Sequence, residues 1–560
     1  MKDTGPLLLL LPLVIPLAGI WAIWVLPSRM VSPDSRRRVH LGILISTCIA
    51  LWVAKSAEVG TARLPFWGPL SAYGEPLEFS LDSLSFAFSL LLVGSLTVAG
   101  LSMMMRPIER FESVSALLLV EAGIGVCAAS NLLTLCLAWM LMDVALLSMD
   151  IVRVPDESIP HAARNVLVNL CSTLALIVVT TLTLSQRGEG QLSGLALSGL
   201  PLKLLATASL LRLGIYPLPG GLKRRWEVYL ASLCTGGYLW LRLITLSPGE
   251  FPGVGGLVFL GCGSLVITGL LAGFSSDLAT ALPYVLSHGI AAFVLAPLLV
   301  PDSGYAIAFV TAINLALCLT LLRADAQVRP VSPWGRRARL PLMIALASLA
   351  GWPLTLGFIA HWSLLKLLWV RGPQSIVWLG SLSYLCCSIP LWQRFRYVLR
   401  EIRDESALPR WGVQVAFFCA AAVAVVLVVA GIYLPFSGRT WSAWPEQSAA
   451  AVGLQPVSFG ALIGGSVATW AVLALGAVIV PFVGSYAVQR LWAAVPGGWV
   501  QRVDATGALL ELDWLYAAAD RVLARIWSLS TRGLSLIEES LYLGWTLIWV
   551  LVVVLYLVGG

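Results

Sequence analysis

Charge is what this chain has least of. Asp, Glu, Lys and Arg together make up 12% of its 560 residues, about half the share a soluble domain carries. With 58% hydrophobic residues and a mean hydropathy of +0.87, it does not read as a soluble enzyme. Histidine is scarce as well, at four residues. The ten cysteines are scattered, with no C-x-x-C pair and Cys386-Cys387 as the one adjacent set. That argues against iron–sulfur and zinc ligation, and the cysteines read as packing residues. There is no Walker A motif, no G-x-G-x-x-G opening a soluble helix and no H-E-x-x-H. Nucleotide binding and hydrolytic metal chemistry therefore have no carrier, and no cofactor is expected. The net charge of +7 does not signal a nucleic acid partner, because the basic residues sit in short loops, where they report orientation.

What is plentiful is apolar runs of about 20 residues, each long enough to cross a bilayer. They predict an all-α polytopic membrane protein of about 16 spans. The spans cover residues 7–26, 39–54, 82–105, 114–129, 131–151, 163–185, 200–220, 226–246, 254–273, 278–300, 305–322, 340–369, 376–393, 411–432, 458–487 and 540–558. The first, Leu7 to Leu26, is rich in Pro and lacks a following small-residue cleavage site, so it reads as an uncleaved span. Positive charge gathers in alternate loops. Arg29 and Arg36 to Arg38 follow span one, Arg106 and Arg110 span three, and Arg153 and Arg164 span five. Lys223 to Arg225 follow span seven, Arg323 to Arg339 span eleven, and Arg394 to Arg410 span thirteen. The intervening loops Ser247–Gly253 and Pro301–Gly304 carry almost none. The positive-inside rule then places both termini outside the cytoplasm of a bacterial or archaeal cell (inner) membrane. From Arg490 to Glu539, Asp513-Trp514-Leu515-Tyr516, Arg521, Arg525, Trp527, Arg532 and Glu538-Glu539 mix charge with aromatics. That stretch reads as an amphipathic helix on the bilayer surface or a neighbouring subunit, or as a plain loop helix.

Ionisable residues at membrane depth are costly and so mark candidate functional positions. Glu121 lies in span four, Asp143 in span five, Arg212 in span seven, His288 in span ten, and His361 with Lys366 in span twelve. Each has a plainer reading. A lone His packs by hydrogen bonding, a Glu can sit neutral, and a Lys near a helix end snorkels. Asp143 and Arg212 are central and opposite in sign, so pairing them lowers the cost of both.

Two of these segments are broken. Arg212 is followed by Gly214, Pro217 and Pro219, and span twelve carries Gly351-Trp352-Pro353-Leu354-Thr355-Leu356-Gly357. A broken membrane helix is tolerated where it lines a cavity or is buried in protein. Interrupted segments five spans apart predict two inverted five-helix repeats. The expected divisions are 1–113 for the N-terminal helices, 114–246 and 254–393 for the repeats, and 394–560 for C-terminal helices with the surface segment 490–539.

Across residues 80–370 the chain resembles the antiporter-like membrane subunits of respiratory complex I, Mrp-type cation/proton antiporters and membrane-bound hydrogenases. Leu81-Asp82-Ser83-Leu84-Ser85 matches L-D-x-L-S, and Ser130-Asn131-Leu132-Leu133-Thr134 through Trp139 matches the N-D/L-L-x-x-F-x-x-W-E helix. Arg212 through Pro217 matches the K-S-A-Q-x-P break, and Asp277-Leu278 through Gly289 matches D-L-K-R-x-L-A-Y-S-x-x-S-x-x-G. Gly351-Trp352-Pro353 through Phe358 matches G-x-P-P-x-x-G-F. The resemblance implies a subunit that moves protons or cations inside a multisubunit complex, with other membrane subunits and the lipid bilayer as partners.

The departures fall on the chemistry. The family's glutamate is Met140 here, with Asp143 three residues on and expected on the same helix face. Its lysine before the break is Arg212, the lysine and arginine of D-L-K-R are Ala279 and Thr280, and the eleventh-span lysine is absent near Asn314 and Leu315. His361 takes the titratable place after the second break. A relay lysine can release a proton, whereas arginine stays charged. Arg212 can hold Asp143 ionised, and histidine, which titrates near neutral pH, can carry the proton. The expected proton pathway is thus Asp143, Arg212, His288, His361, Glu121 and Lys366. A conduction-deficient scaffold and an energy-coupling subunit for inorganic-carbon uptake are the alternatives.

Overall fold

A computed structural model describes residues 5–25, 33–57, 60–64, 76–102, 109–151, 159–187, 192, 199–217, 226–246, 253–275, 278–328, 339–371, 374–400 and 411–436. It also describes isolated helical positions at 479, 483, 484, 486, 510, 514, 518, 521 and 525. The chain forms two compact units, Met1–Ala494 and Val495–Gly560.

The first unit is a helical bundle. Its helices are α1 (Gly5–Val25), α2 (Pro33–Ser56), α3 (Ser83–Ser102), α4 (Arg110–Ala128), α5 (Leu132–Ile151), α6 (Ile159–Arg187), α7 (Leu200–Leu213) and α8 (Trp226–Leu246). They continue as α9 (Val254–Phe274), α10 (Leu278–Leu299), α11 (Pro301–Val328), α12 (Leu340–Leu349), α13 (Leu356–Arg371), α14 (Gln374–Arg400) and α15 (Trp411–Phe436). Among the described residues, 11 helices are long and apolar enough to cross a membrane. A helix is the natural span because it satisfies its own backbone polar groups where no water can. The outer surface carries Trp21, Ile49, Phe259, Trp369 and Val425, all exposed, as expected of helices that face acyl chains.

The core lies where α3, α8 and α11 pack on one another, filled by Phe86, Phe88, Tyr238, Trp240, Tyr305 and Phe309. Around it, α4 contacts α5 and α8, α5 contacts α6, α6 contacts α7, and α7 contacts α8. The same scheme recurs later: α9 contacts α10 and α14, α10 contacts α11, α11 contacts α12 and α13, and both of these contact α14.

Several expectations need correction. The all-α class itself stands, and beside the helices lies a short antiparallel hairpin, β1 (Thr61–Leu64) with β2 (Leu77–Ser80), in the register Thr61 to Ser80. It joins the bundle through an isolated bridge from Phe79 to Ala129. Span seven ends at Leu213 rather than 220. Gly214 there adopts φ 70°, and its N–H bonds the Leu210 carbonyl at 3.0 Å, the left-handed helix stop that glycine permits. Span twelve is two short helices, α12 and α13, flanking the break. Many arginines assigned to loops lie on helices instead: Arg36 to Arg38 in α2, Arg323 in α11, and Arg394, Arg396 and Arg400 in α14. Pro301 to Gly304 is the start of α11, not a loop. Spans 458–487 and 540–558 lie outside the described residues, apart from helical positions at Ile479, Val483, Gly484 and Tyr486. In the second unit, Leu510, Trp514, Ala518, Arg521 and Arg525 are helical. The rest of segment 490–539 lies outside the described residues.

Candidate functional site

The structure gathers the candidate residues into two pairs. The first begins on α5, where Trp139 and Asp143 stand four residues apart and so on one face. Facing them is Arg212, in the last turn of α7, where a cation meets the negative end of the helix dipole. Arg212 is fully buried, and its Nη1 lies 2.6 Å from Oδ1 of Asp143. Its guanidinium also stands 4.6 Å over the Trp139 ring, a contact that stabilises a desolvated cation. Helix α6 fixes both α5 side chains with two successive residues. Trp139 Nε1 donates to Ser172 Oγ at 3.1 Å, and Ser172 Oγ donates to the Ala208 carbonyl at 2.7 Å. Thr173 Oγ1 donates to Asp143 Oδ2. Among the described residues Arg212 Nε, Nη1 and Nη2 have no hydrogen-bond acceptor of good geometry, so the contact with Asp143 is ionic rather than aligned. A buried guanidinium in that condition calls for hydration.

Met140, where the sequence resemblance implies a glutamate, is 44% exposed. The expected shared face therefore stops at the bundle edge: position 140 points outward and Asp143 turns inward.

Sequence reading missed the polar stripe on α6. Asn165, Asn169, Ser172, Thr173, Thr180 and Thr183 are all buried and recur at helical spacing. At 1.5 Å per residue the stripe runs about 27 Å, close to the hydrocarbon thickness of a bilayer, and it passes Asp143 near its middle. Asn169 Oδ1 and Thr183 Oγ1 have no hydrogen-bond partner among the described residues. The signal was present in the sequence as a 3–4 repeat of Asn, Ser and Thr inside an apolar run.

The second pair is His288 on α10 and His361 on α13. Their rings stack at 6.2 Å between centroids, 12° from parallel. His288 Nδ1 lies 3.0 Å from the Leu265 carbonyl and His361 Nδ1 lies 2.8 Å from the Gly357 carbonyl. A carbonyl only accepts, so in the neutral ring each Nδ1 carries the hydrogen and each Nε2 the lone pair. Like charges that close repel, so the pair is suited to hold one proton at a time.

The break between α12 and α13 has its own fastening. Gly351 takes φ 62° and Leu354 φ 66°. Ser348 Oγ donates to Asn314 Oδ1 at 2.6 Å and accepts from the Gly357 N–H at 3.1 Å. Ser348 thus joins both sides of the break, and Asn314 on α11 holds Ser348 in place.

Glu121 and Lys366 belong to neither pair. Glu121 is buried on α4, and its Oε2 has no hydrogen-bond partner among the described residues. Lys366 is half-buried, five residues beyond His361. A further ion pair was not foreseen: Arg242 on α8 donates to Asp82, whose Oδ1 also accepts the Ser85 N–H at 2.8 Å. Asp82 thereby caps α3. Among the described residues no group of three or more His, Cys, Asp or Glu is placed to hold a metal ion.

Comparison with solved structures shows that this fold is shared with chains of large membrane complexes. A chain of the Mrp complex from Dietzia sp. DQ12-45-1b is similar at 18% identity and TM-score 0.66, over 94% of this chain and 63% of that one. The present chain therefore spans less than two thirds of that Mrp chain. A chain of the membrane-bound sulfane sulfur reductase, an archaeal respiratory membrane complex, is similar at 17% identity and TM-score 0.61, over 94% of this chain and all of that one. Respiratory complex I from Thermus thermophilus with bound Aureothin supplies a third, at 16% identity and TM-score 0.58, over 76% of this chain and 98% of that one. No protein-family model and no curated protein sequence matches the chain.

Proposed function

We propose that this chain is a proton-translocating, antiporter-like subunit of a multisubunit membrane complex of the complex I, hydrogenase or Mrp kind. The observation that carries this reading is the fully buried Arg212 against Asp143, halfway along a polar stripe of membrane length. A charge pair there is costly unless it works with a wetted path. In the working cycle, a charge change in a partner subunit loosens Asp143 from Arg212. The altered field then changes proton affinity at the His288–His361 pair, which loads and releases one proton through Nε2. Arg212 supplies field and carries no proton, because its guanidinium stays protonated. The recurring contact scheme of α4–α8 and α9–α14 supports two related five-helix units, each with one broken segment.

The scaffold reading has one observation in its favour. The lysine that the resemblance implies near Asn314 and Leu315 is absent, and Asn314 is hydrogen-bonded to Ser348, which suits a fastening role better than a relay. Replacing both histidines decides between the two. With His288→Gln and His361→Gln in the complex that co-purifies with the tagged chain, proton uptake into liposomes is lost on the translocating reading and unchanged on the scaffold reading.

A further inference from the structure

Two adjacent residues of α14, Ser383 and Tyr384, reach the two histidines separately. Ser383 Oγ donates to the Leu265 carbonyl at 2.6 Å and lies 3.3 Å from His288 Nδ1, which shares that carbonyl. The Tyr384 ring lies 4.9 Å from the His361 ring. Its hydroxyl donates to the Ala350 carbonyl, at the end of α12 where the helix no longer supplies a partner. The fit at the break is close. A Cβ on Gly351 would stand 2.2 Å from the Tyr384 hydroxyl oxygen, so glycine is required there both for its φ and for room. One end of Tyr384 therefore touches the break and its face touches a histidine.

We propose that Ser383 and Tyr384 form a positioning clamp: α14 sets the spacing of the His288–His361 pair, and Tyr384 ties His361 to the state of the α12–α13 break. This rests on the reading of the histidines as the proton-holding pair. Because α13 begins at Leu356, five residues before His361, a movement of the break shifts the base of the helix that carries the ring. Tyr384 makes that movement and the ring orientation one event rather than two. Neither residue takes the proton; both act through the histidines.

The test uses Tyr384→Phe, which keeps the ring and removes the hydroxyl, and Ser383→Ala, in the intact complex. Losing one hydrogen bond of ordinary net strength predicts that amide exchange across residues 347–358 rises about fivefold in Tyr384→Phe. With ring-labelled histidine, the chain's four histidines give separable nitrogen resonances. Tyr384→Phe is expected to shift the His361 signals, and Ser383→Ala those of His288, with His40 on α2 unmoved. A general loosening would move the His40 signals as well. In a His361→Gln background, Tyr384→Phe has no further effect on proton uptake. Unchanged exchange at the break, or unchanged His361 signals, overturns the clamp. Unchanged uptake in the double histidine variant overturns the proton reading instead, and the exchange and resonance results still judge the clamp.

Discussion

Trp139 and Asp143, one turn apart on α5, close on the same guanidinium from two sides, the ring at 4.6 Å and the carboxylate oxygen at 2.6 Å. The cation is thus held by a face and a charge at once, with α6 bracing both through Ser172 and Thr173. Such a site tolerates a change of cation better than its removal.

Arg212→Lys is accordingly expected to assemble and to keep proton uptake, since an ammonium still pairs with Asp143. Arg212→Met removes the partner of Asp143, and breaking a buried ion pair from one side costs about 3–5 kcal/mol. Thermal unfolding of the detergent-solubilised complex compares the two. Loss of assembly in the lysine variant shows that the guanidinium fork is structural.

At the second break, Asn314→Ala removes the acceptor of Ser348. A buried hydroxyl left without its acceptor costs about 1–3 kcal/mol, so the variant unfolds at lower temperature. Proton uptake per folded complex stays near that of the parent, because Asn314 fastens the break and carries no proton.

Asp82 performs two tasks, capping α3 and pairing with Arg242. Asp82→Asn keeps the cap and loses the charge, whereas Asp82→Ala loses both and costs about 1 kcal/mol more. Equal unfolding temperatures for the two variants rule out the cap.

Much of this was legible in the residues. Apolar runs located the 11 helices that are long and apolar enough to cross a membrane among the described residues, and Gly-Pro clusters located both breaks, because hydropathy and backbone stiffness are local properties. The opposite signs of Asp143 and Arg212 suggested their contact. The hairpin was missed because its strands, Thr61–Leu64 and Leu77–Ser80, are four residues long and far apart in sequence. Tyr384 and Ser383 were missed because a Tyr and a Ser in an apolar span carry no charge to stand out. Their roles come from tertiary contacts with α10, α12 and α13 that no local pattern encodes. The α6 stripe could have been found by asking of Asn, Ser and Thr the periodicity question usually asked of apolar residues.

The most direct measurement is proton uptake by liposomes holding the purified complex, followed with an internal pH-sensitive dye, for the parent and for Asp143→Asn. The amide keeps the size and the acceptor for Thr173 but removes the charge that Arg212 faces. Uptake is predicted to fall at least about tenfold with subunit composition unchanged. A fully assembled Asp143→Asn complex that takes up protons at the parent rate contradicts a working role for the Asp143–Arg212 pair.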